Sequence, residues 1–416
     1  MNKIYRQPTN IERIVMYQVF VRNFSKEGSF NALTHRLNDL KALGVNTLWL
    51  MPIQPTGLKQ HKGTYGSPYA IKDYTAVHPD YGTKEDFKKL VDSCHSLGLN
   101  IIIDLVANHT SWDCKWITEH PDWYIHDSNG HIVSPVPDWT DVADLNYDNS
   151  AMRTEMIKDM KYWVEEFDID GYRCDVAEMV PNDFWKSAID SLKKIKPVIM
   201  LAEGAKPDLY EAGFQITYGW DFYHNLKQVF NNKAGLAKLD SVLAKEKVQY
   251  PTHFKQLRFI TNHDENSWDN VPQNLFVNLD GTKAAFVISA CIPGVPLVYN
   301  GQEVGYPEKI NLFEKYSIDY SANPELTKFY VDILHLKEHP ALFENSITRI
   351  DIKNNDVYAF VSEGHGQRVL VVVNVRNRPS AFHISKEFTP LKNLFGYNIS
   401  DQTQVLPTFA YSISQL

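Results

Sequence analysis

The sequence lacks both a long hydrophobic run and a secretory leader. No window approaches about eighteen uninterrupted apolar residues, the length that a transmembrane helix needs. The first ten residues, MNKIYRQPTN, contain neither the apolar stretch nor the small-residue cleavage site of a signal peptide. We therefore expect a cytoplasmic protein that does not associate with membranes, or a secreted protein whose leader is not part of this sequence.

Basic clusters and paired cysteines are also absent. The 50 acidic residues exceed the 42 Lys and Arg and give a net charge of -8, so nucleic acid and anionic membranes are poor partners. The four cysteines are scattered without a CxxC pair, which predicts buried thiols and not disulfides. No Gly-rich phosphate loop, internal repeat or low-complexity tract occurs.

Short apolar runs alternate with helical patterns along most of the chain. Near-continuous hydrophobicity in short runs is typical of parallel strands that are covered on both faces. The helical pattern is clearest at 83–97 and 151–167, where apolar residues recur at helical spacing. We therefore predict a (β/α)8 barrel. The strand-like runs are residues 14–20, 46–51, 100–106, 169–175, 197–203, 256–261 and 296–300, with a weaker candidate at 213–217.

Two segments depart from a bare barrel. A polar stretch rich in Trp and Asp at 108–149 is far longer than an ordinary βα loop, so we predict an inserted subdomain there. Strand patterns separated by turn residues occupy 345–416 and predict an antiparallel β-sandwich domain. The barrel then consists of residues 1–107 and 150–344.

Polar residues follow several of the predicted strands at their carboxyl ends, which share one face of a parallel barrel. Three carboxylates in one cavity repel each other, so at least one stays protonated near neutral pH while another is ionised. Glycoside hydrolysis needs that division between a nucleophile or base and a proton donor. Arg173, two residues before Asp175, would hold that aspartate ionised, although a purely structural Arg–Asp pair is the alternative. The residues are Asn108, His109, Arg173, Asp175, Glu203, His263 and Asp264.

Four segments resemble, in order, the motifs of the α-amylase family of glycoside hydrolases: DLVANHTS (104–111), GYRCDVAE (171–178), LAEG (201–204) and FITNHD (259–264). VADLN (142–146) is similar to a fifth motif of that family. The resemblance implies a barrel, an insertion after the third strand and a C-terminal β-sandwich, so it extends over the whole chain.

The resemblance also implies roles for individual residues. Asp175 would be the nucleophile that forms a covalent glycosyl-enzyme, Glu203 the general acid and then base, and Asp264 a support for the distorted sugar. Of the other substrate-binding residues, Tyr69 would stack under the sugar at the cleavage point, and His109 and His263 would form hydrogen bonds with its hydroxyl groups. Arg173 would orient Asp175.

A structural calcium ion is a further implication of the resemblance. Asn108 and Asp144 match residues that supply oxygen ligands between the inserted domain and the barrel, together with the backbone carbonyl of Met179. Alternatively, Asn108 and Asp144 only satisfy backbone groups at that junction.

Linkage specificity stays open at this point. Val176, directly after the expected nucleophile, matches relatives that cleave α-1,6 bonds, whereas VADLN and the loop NFSKEGSF (23–30) differ from the forms found in oligo-1,6-glucosidases. We expect a monomeric, endo-acting α-1,4-glucan hydrolase that acts on starch-like glucans or maltooligosaccharides. The alternatives are an oligo-α-1,6-glucosidase, a transglycosylase, or a non-catalytic carbohydrate-binding relative, which retention of all three acids argues against.

Overall fold

The computed structural model describes residues 5–251 and 255–416 and confirms the predicted barrel. Eight parallel strands close in the order β1-β10-β9-β8-β7-β6-β3-β2. Each strand-like run of the sequence overlaps one of them, and the weaker candidate overlaps β8. Numbered along the chain, the strands are β1 (Met16–Val19), β2 (Thr47–Leu50), β3 (Asn100–Leu105), β4 (His109–Ser111), β5 (Val142–Asp144), β6 (Gly171–Cys174), β7 (Ile199–Ala202), β8 (Ile216–Tyr218), β9 (Lys255–Arg258), β10 (Val295–Tyr299), β11 (Ser346–Arg349), β12 (Val357–Gly364), β13 (Gln367–Asn374), β14 (Ser380–His383), β15 (Lys392–Gly396), β16 (Thr403–Leu406) and β17 (Tyr411–Gln415).

Helices surround the barrel, and several of them begin at a residue whose side chain caps the helix. In α4, Thr83 and Asp86 form a reciprocal capping box, and Gly98 follows the helix with φ +77°. The apolar stripe of α4, which includes Phe87 and Leu90, is buried. The helices are α1 (Val21–Phe24), α2 (Phe30–His35), α3 (Leu37–Ala42), α4 (Lys84–Ser96), α5 (Trp116–Glu119), α6 (Ser150–Phe167), α7 (Asn182–Lys193), α8 (Asp208–Glu211), α9 (Trp220–Phe230), α10 (Ala237–Gln249), α11 (Pro272–Leu275), α12 (Leu279–Cys291) and α13 (Pro324–Leu336).

The long segment between β3 and α6 contains a small antiparallel pair, β4 with β5, in which His109 lies opposite Asp144. Trp116 and Trp123 are buried in this segment at 5.1 Å between ring centroids, so they form part of its core. Trp112 and Trp139 are only partly buried.

The C-terminal part is antiparallel, with a five-stranded sheet in the order β11-β12-β13-β17-β15 and a separate pair, β14 with β16. Its central strands use the two faces of the pleat differently. Tyr358, Phe360 and Val371 join the barrel core, while Val361 and Leu370 join a second cluster. The sheet therefore packs on the barrel with one face and closes its own small core with the other.

The four cysteines are free and buried, as the sequence predicts. No described helix combines the length and the apolar character that crossing a bilayer would require.

Candidate active site

The three predicted acids lie at the barrel face formed by the carboxyl ends of the strands. Asp175 directly follows β6, Glu203 directly follows β7, and Asp264 lies six residues beyond β9. All three line one cavity of about 530 Å³, together with Tyr69, His109 and His263. Residues far apart in sequence thus surround a volume in the range of small-molecule sites, roughly 300–1,000 Å³.

Arg173 joins the carboxylates at the floor of this cavity. Its guanidinium is fully buried. Side chains two residues apart in an extended segment point to the same side, so Arg173 in β6 points inward with Asp175, which directly follows the strand. Nη1 lies 2.7 Å from Oδ1 of Asp175, and Nη2 lies 2.9 Å from Oε2 of Glu203. The guanidinium thus donates a hydrogen bond to Asp175 and forms an ion pair with Glu203, so both carboxyl groups lie at one cation.

Asp104 is a member of the site that the sequence analysis missed. It lies within β3, is fully buried, and accepts a hydrogen bond of 2.8 Å from Nη1 of Arg173. Trp49 and Tyr69 also donate to it, each at 3.2 Å. Burial raises its pKa to about 6, against the opposing effect of Arg173. A charged residue inside the apolar run NIIIDLV was the available signal.

Burial also has the largest effect on the pKa values of Asp175 and Asp264. It raises the pKa of Asp175 well above its ordinary value, Glu203 and Asp104 add to the rise, and Arg173 opposes it. The pKa of Asp264 rises to about 7, through burial and then the neighbouring Glu203. Arg173 thus lowers the pKa of Asp175, as expected, but burial has the larger effect.

His263 uses both ring nitrogens within the protein. Nε2 of Gln18 donates to its Nδ1 at 2.7 Å, so the ring proton lies on Nε2, which bonds to the Tyr69 hydroxyl at 2.6 Å. The Tyr69 ring stacks on the imidazole with centroids 5.4 Å apart. Burial lowers the pKa of His263 well below its ordinary value. The result is a chain of hydrogen bonds from Gln18 through His263 and Tyr69 to Asp104.

His109 lies at the start of β4 and lines the same cavity. It is buried, its ring meets that of Trp139 at 5.5 Å, and burial lowers its pKa to about 4. A neutral imidazole at this position offers a directional hydrogen bond to a neutral ligand.

The two predicted metal ligands lie close in the fold at the base of the insertion. The amide nitrogen of Leu145 donates to the carbonyl of Asn108 at 3.1 Å, which places Asn108 beside Asp144. Burial raises the pKa of Asp144 to about 6, and among the described residues no cationic side chain opposes this. Within residues 5–251 and 255–416, no cluster of three or more His, Cys, Asp or Glu side chains is arranged to hold a metal ion.

Val176, next to Asp175, carries backbone strain. Its φ of +36° is rare for a β-branched residue, and its amide donates to Oε2 of Glu203 at 2.6 Å. Val176 also lines the cavity. A strained turn thus links the segment after β6 to the carboxyl group after β7.

Several further cavity residues were not singled out from the sequence. Apart from Val142, which begins both β5 and the VADLN motif, they come from loops whose approach depends on the fold, and no motif marks them. These residues are Lys62, Asp138, Asp141, Val142, Trp268, Leu312 and Phe313.

Comparison with known proteins gives consistent matches. The family model for the alpha amylase catalytic domain matches residues 18–133 and 123–329. An alpha-amylase of Haloarcula japonica is 27% identical over 90% of this chain, which spans only 57% of that relative's length. Alpha-amylase 3 of Dictyoglomus thermophilum is 25% identical over 98% of this chain and 93% of the relative.

Two solved structures are similar over nearly their whole length. A Lactobacillus plantarum alpha-amylase has a TM-score of 0.89 and 29% identity, covering 98% of this chain and 99% of that one. A maltogenic alpha-amylase of Thermotoga neapolitana has a TM-score of 0.86 and 32% identity, covering 98% and 97%.

Proposed function

The chain belongs to the alpha-amylase family of glycoside hydrolases, and from this premise we propose that it cleaves α-1,4-glucosidic bonds with retention of anomeric configuration. Its substrates would be starch-like glucans or maltooligosaccharides. The name maltogenic alpha-amylase, borne by the Thermotoga neapolitana protein, is in line with such a substrate.

The shared guanidinium is the observation that carries the proposal. Asp175 and Glu203 contact neighbouring nitrogens of Arg173, at 2.7 and 2.9 Å, which keeps their carboxyl groups close together. Retaining glycosidases hold their two carboxyls about 5–5.5 Å apart, whereas inverting ones leave room for a water at about 6.5–9.5 Å.

The reaction would proceed in two displacements. Asp175 attacks the anomeric carbon as its carboxylate while Glu203 gives its proton to the departing glycosidic oxygen. Water then attacks the same carbon, its proton passes to Glu203, and the bond to Asp175 breaks. Two inversions restore the α configuration.

The remaining predicted residues would position the sugar. Asp264 would stabilise the positive charge that develops on the ring, and the Tyr69 ring and the neutral His109 offer a stacking face and a hydrogen bond. His263 reaches the sugar only where a hydroxyl group competes with Tyr69 for Nε2. Its main contribution in this geometry is to orient Tyr69.

Proton NMR with maltoheptaose tests the proposal directly. Short maltooligosaccharides should appear first as α-anomers, with no release by an Asp175→Ala preparation. Products that appear first as β-anomers would contradict retention. Absence of cleavage would instead favour the α-1,6 or binding alternatives.

We also propose a structural calcium ion held by Asn108, Asp144 and the backbone carbonyl of Met179. The half-buried carboxylate of Asp144 has a raised pKa and no cationic partner among the described residues, so a divalent cation would supply its missing countercharge. Asn108 and Met179 contribute oxygen atoms of the kind that calcium prefers.

A further inference from the structure

We propose, on the basis of the function above, that the enzyme accepts its substrate by the non-reducing end and removes short units from that end. The cleft is closed on the side where the non-reducing part of the substrate must lie. Four segments form this barrier, which we term the closed rim: residues 62–65, 138–141, 266–268 and 309–314.

The first seam of the closed rim joins the loop after β2 to the inserted segment. Nζ of Lys62 donates to the carbonyl of Asp138 at 2.7 Å and pairs with Asp141 at 3.1 Å. The Asp141 side chain is only 7% exposed, so this ion pair is shielded from solvent on one side. At the base of the loop, a Cβ on Gly57 would come within 2.1 Å of Ser111, so close approach of the two segments requires glycine there.

The second seam joins the same loop to the segment after β10. The amide of Thr64 donates to Oε1 of Glu314 at 3.0 Å, and the amide of Tyr65 donates to the carbonyl of Phe313 at 3.0 Å. Beneath them, the buried Arg22 donates to the carbonyls of Gly66 and Leu312, at 3.1 and 3.0 Å. These bonds hold the two loops together along their length.

The third seam continues to the segment after β9. The amide of Ile310 donates to Oδ1 of Asn266 at 2.7 Å. The ring of Trp268, which is 64% exposed, meets the ring of Phe313 edge to face at 5.9 Å. The closed rim is thus continuous from the inserted segment to the residues that follow Asp264.

The side of the cleft next to Glu203 is not closed in this way. Glu178 is bonded to the backbone of Ala205 and Lys206, so the turns after β6 and β7 contact each other. In the described part of the chain, no hydrogen bond or ion pair joins these turns to the closed rim, and the Met179 side chain is 44% exposed. The cleft is open here.

The chemistry assigns the two ends of the substrate to these sides. Glu203 gives its proton to the leaving oxygen, so the departing, reducing-end part extends on the open side. The sugar bonded to Asp175 lies over Tyr69 and Asp264, and any sugars beyond it point to the closed rim. Only a short non-reducing segment fits, which departs from the endo-acting expectation of the sequence.

A substrate that is blocked at its non-reducing end distinguishes cleavage from that end from cleavage within the glucan chain. Initial cleavage rates are compared by chromatography for 4-nitrophenyl maltoheptaoside and for the same compound with a 4,6-O-ethylidene group on its non-reducing glucose. We expect the blocked substrate to react about 100-fold more slowly, because the added group clashes with the closed rim. Equal rates would overturn the inference alone, whereas cleavage of neither substrate would overturn the proposed function as well.

Lys62→Ala tests whether the closed rim is the barrier. Loss of the first seam should raise the blocked-to-unblocked rate ratio by about tenfold, since the barrier can then yield. Lys59→Ala, on the same loop, is the matched control, because Lys59 is exposed and makes no bond in the described chain. Its ratio should equal that of the wild type. An unchanged ratio in Lys62→Ala would contradict the assignment.

Discussion

At the residue scale, Asp175 and Glu203 share one buried guanidinium yet face different tasks. Asp175 must be deprotonated when it attacks, whereas burial raises its pKa. Arg173 lowers that pKa and so favours the carboxylate form. Glu203 is also held by the amide of Val176, which fixes the direction of its carboxyl group. The two carboxyl groups can therefore take different roles, Asp175 as nucleophile and Glu203 as proton donor.

Azide rescue distinguishes these roles. Asp175→Ala should lower hydrolysis of maltoheptaose by about 10⁴-fold or more. With α-maltosyl fluoride, azide should then attack the anomeric carbon directly, expel fluoride and give the β-azide. Glu203→Ala should instead form the glycosyl-enzyme from the fluoride and release the α-azide. NMR of the glycosyl azides checks both, and the same anomer from both variants would contradict the assignment.

Val176 is the residue at which linkage preference can be tested. Its side chain enters the cavity from a strained backbone next to Asp175. Val176→Ala removes two methyl groups, and we expect the ratio of maltotriose to isomaltotriose hydrolysis to change by about tenfold, since one methylene is worth about 1–3 kcal/mol in a pocket. Measured kcat/KM values for both sugars check this. An unchanged ratio would exclude the position as a determinant.

At the element scale, β6 sets the position of the site because it carries Arg173 and ends directly before Asp175. The strand begins at Gly171, whose φ is +147°. A Cβ at that position would lie 1.9 Å from the carbonyl oxygen of Ile199 in β7. Only glycine permits these two strands to pair at this point, and the pairing places Asp175 beside Glu203.

Gly171→Ala should therefore destabilise the barrel by about 4 kcal/mol or more, through both the clash and the backbone conformation. Gly235→Ala is the control, because a Cβ there meets no atom within 4 Å and its φ is not in the left-handed region. It should stay within about 0.5 kcal/mol of the wild type. Urea unfolding gives both values, and similar stabilities of the two variants would contradict the strand-contact argument.

At the scale of the whole molecule, the barrel closes between its first and last strands across a buried acid. The hydroxyl of Tyr17 in β1 donates at 2.6 Å to Oε1 of Glu303, which follows β10. Burial raises the pKa of Glu303 to about 7, opposed by the Tyr17 hydrogen bond and by Arg36. Tyr320 also faces this group, and Oε2 of Glu303 has no hydrogen-bond partner in the described chain.

This closure predicts a pH-dependent stability. Because the folded pKa of Glu303 lies above its ordinary value, the folded state binds the proton more tightly, and stability falls as pH rises from about 4.5 to about 7. Glu303→Gln lacks this loss, so its stability relative to the wild type should increase by about 3 kcal/mol between pH 4 and pH 8. Urea unfolding at both pH values measures it. The exposed Glu308→Gln should show no such change, and an equal change there would contradict the prediction.

The proposed calcium ion would act at the same scale, because it joins the inserted segment to the barrel. Chelation with EDTA should lower the melting temperature by several degrees, about 2–4 °C per kcal/mol for a large domain, and added calcium should restore it. Asn108→Ala and Asp144→Ala should abolish the response. If neither EDTA nor calcium changes the melting temperature, the proposed calcium site is wrong.

The sequence determined the barrel, the order of its strands and the placement of the three acids. Short apolar runs that alternate with amphipathic helices permit few other arrangements, and in a parallel barrel the carboxyl end of each strand reaches the same face. Asp175, Glu203 and Asp264 could therefore be brought together from their positions relative to the runs.

Only the tertiary structure decided how those residues are connected and which side of the cleft is open. Asp104 lies opposite Arg173 on the neighbouring strands β3 and β6, and Gln18 in β1 reaches past β10 to His263, which follows β9. The closed rim depends on contacts such as that of Thr64 with Glu314, which are 250 residues apart. Local sequence patterns report burial and periodicity, whereas such contacts follow from the way the loops meet after the barrel has closed.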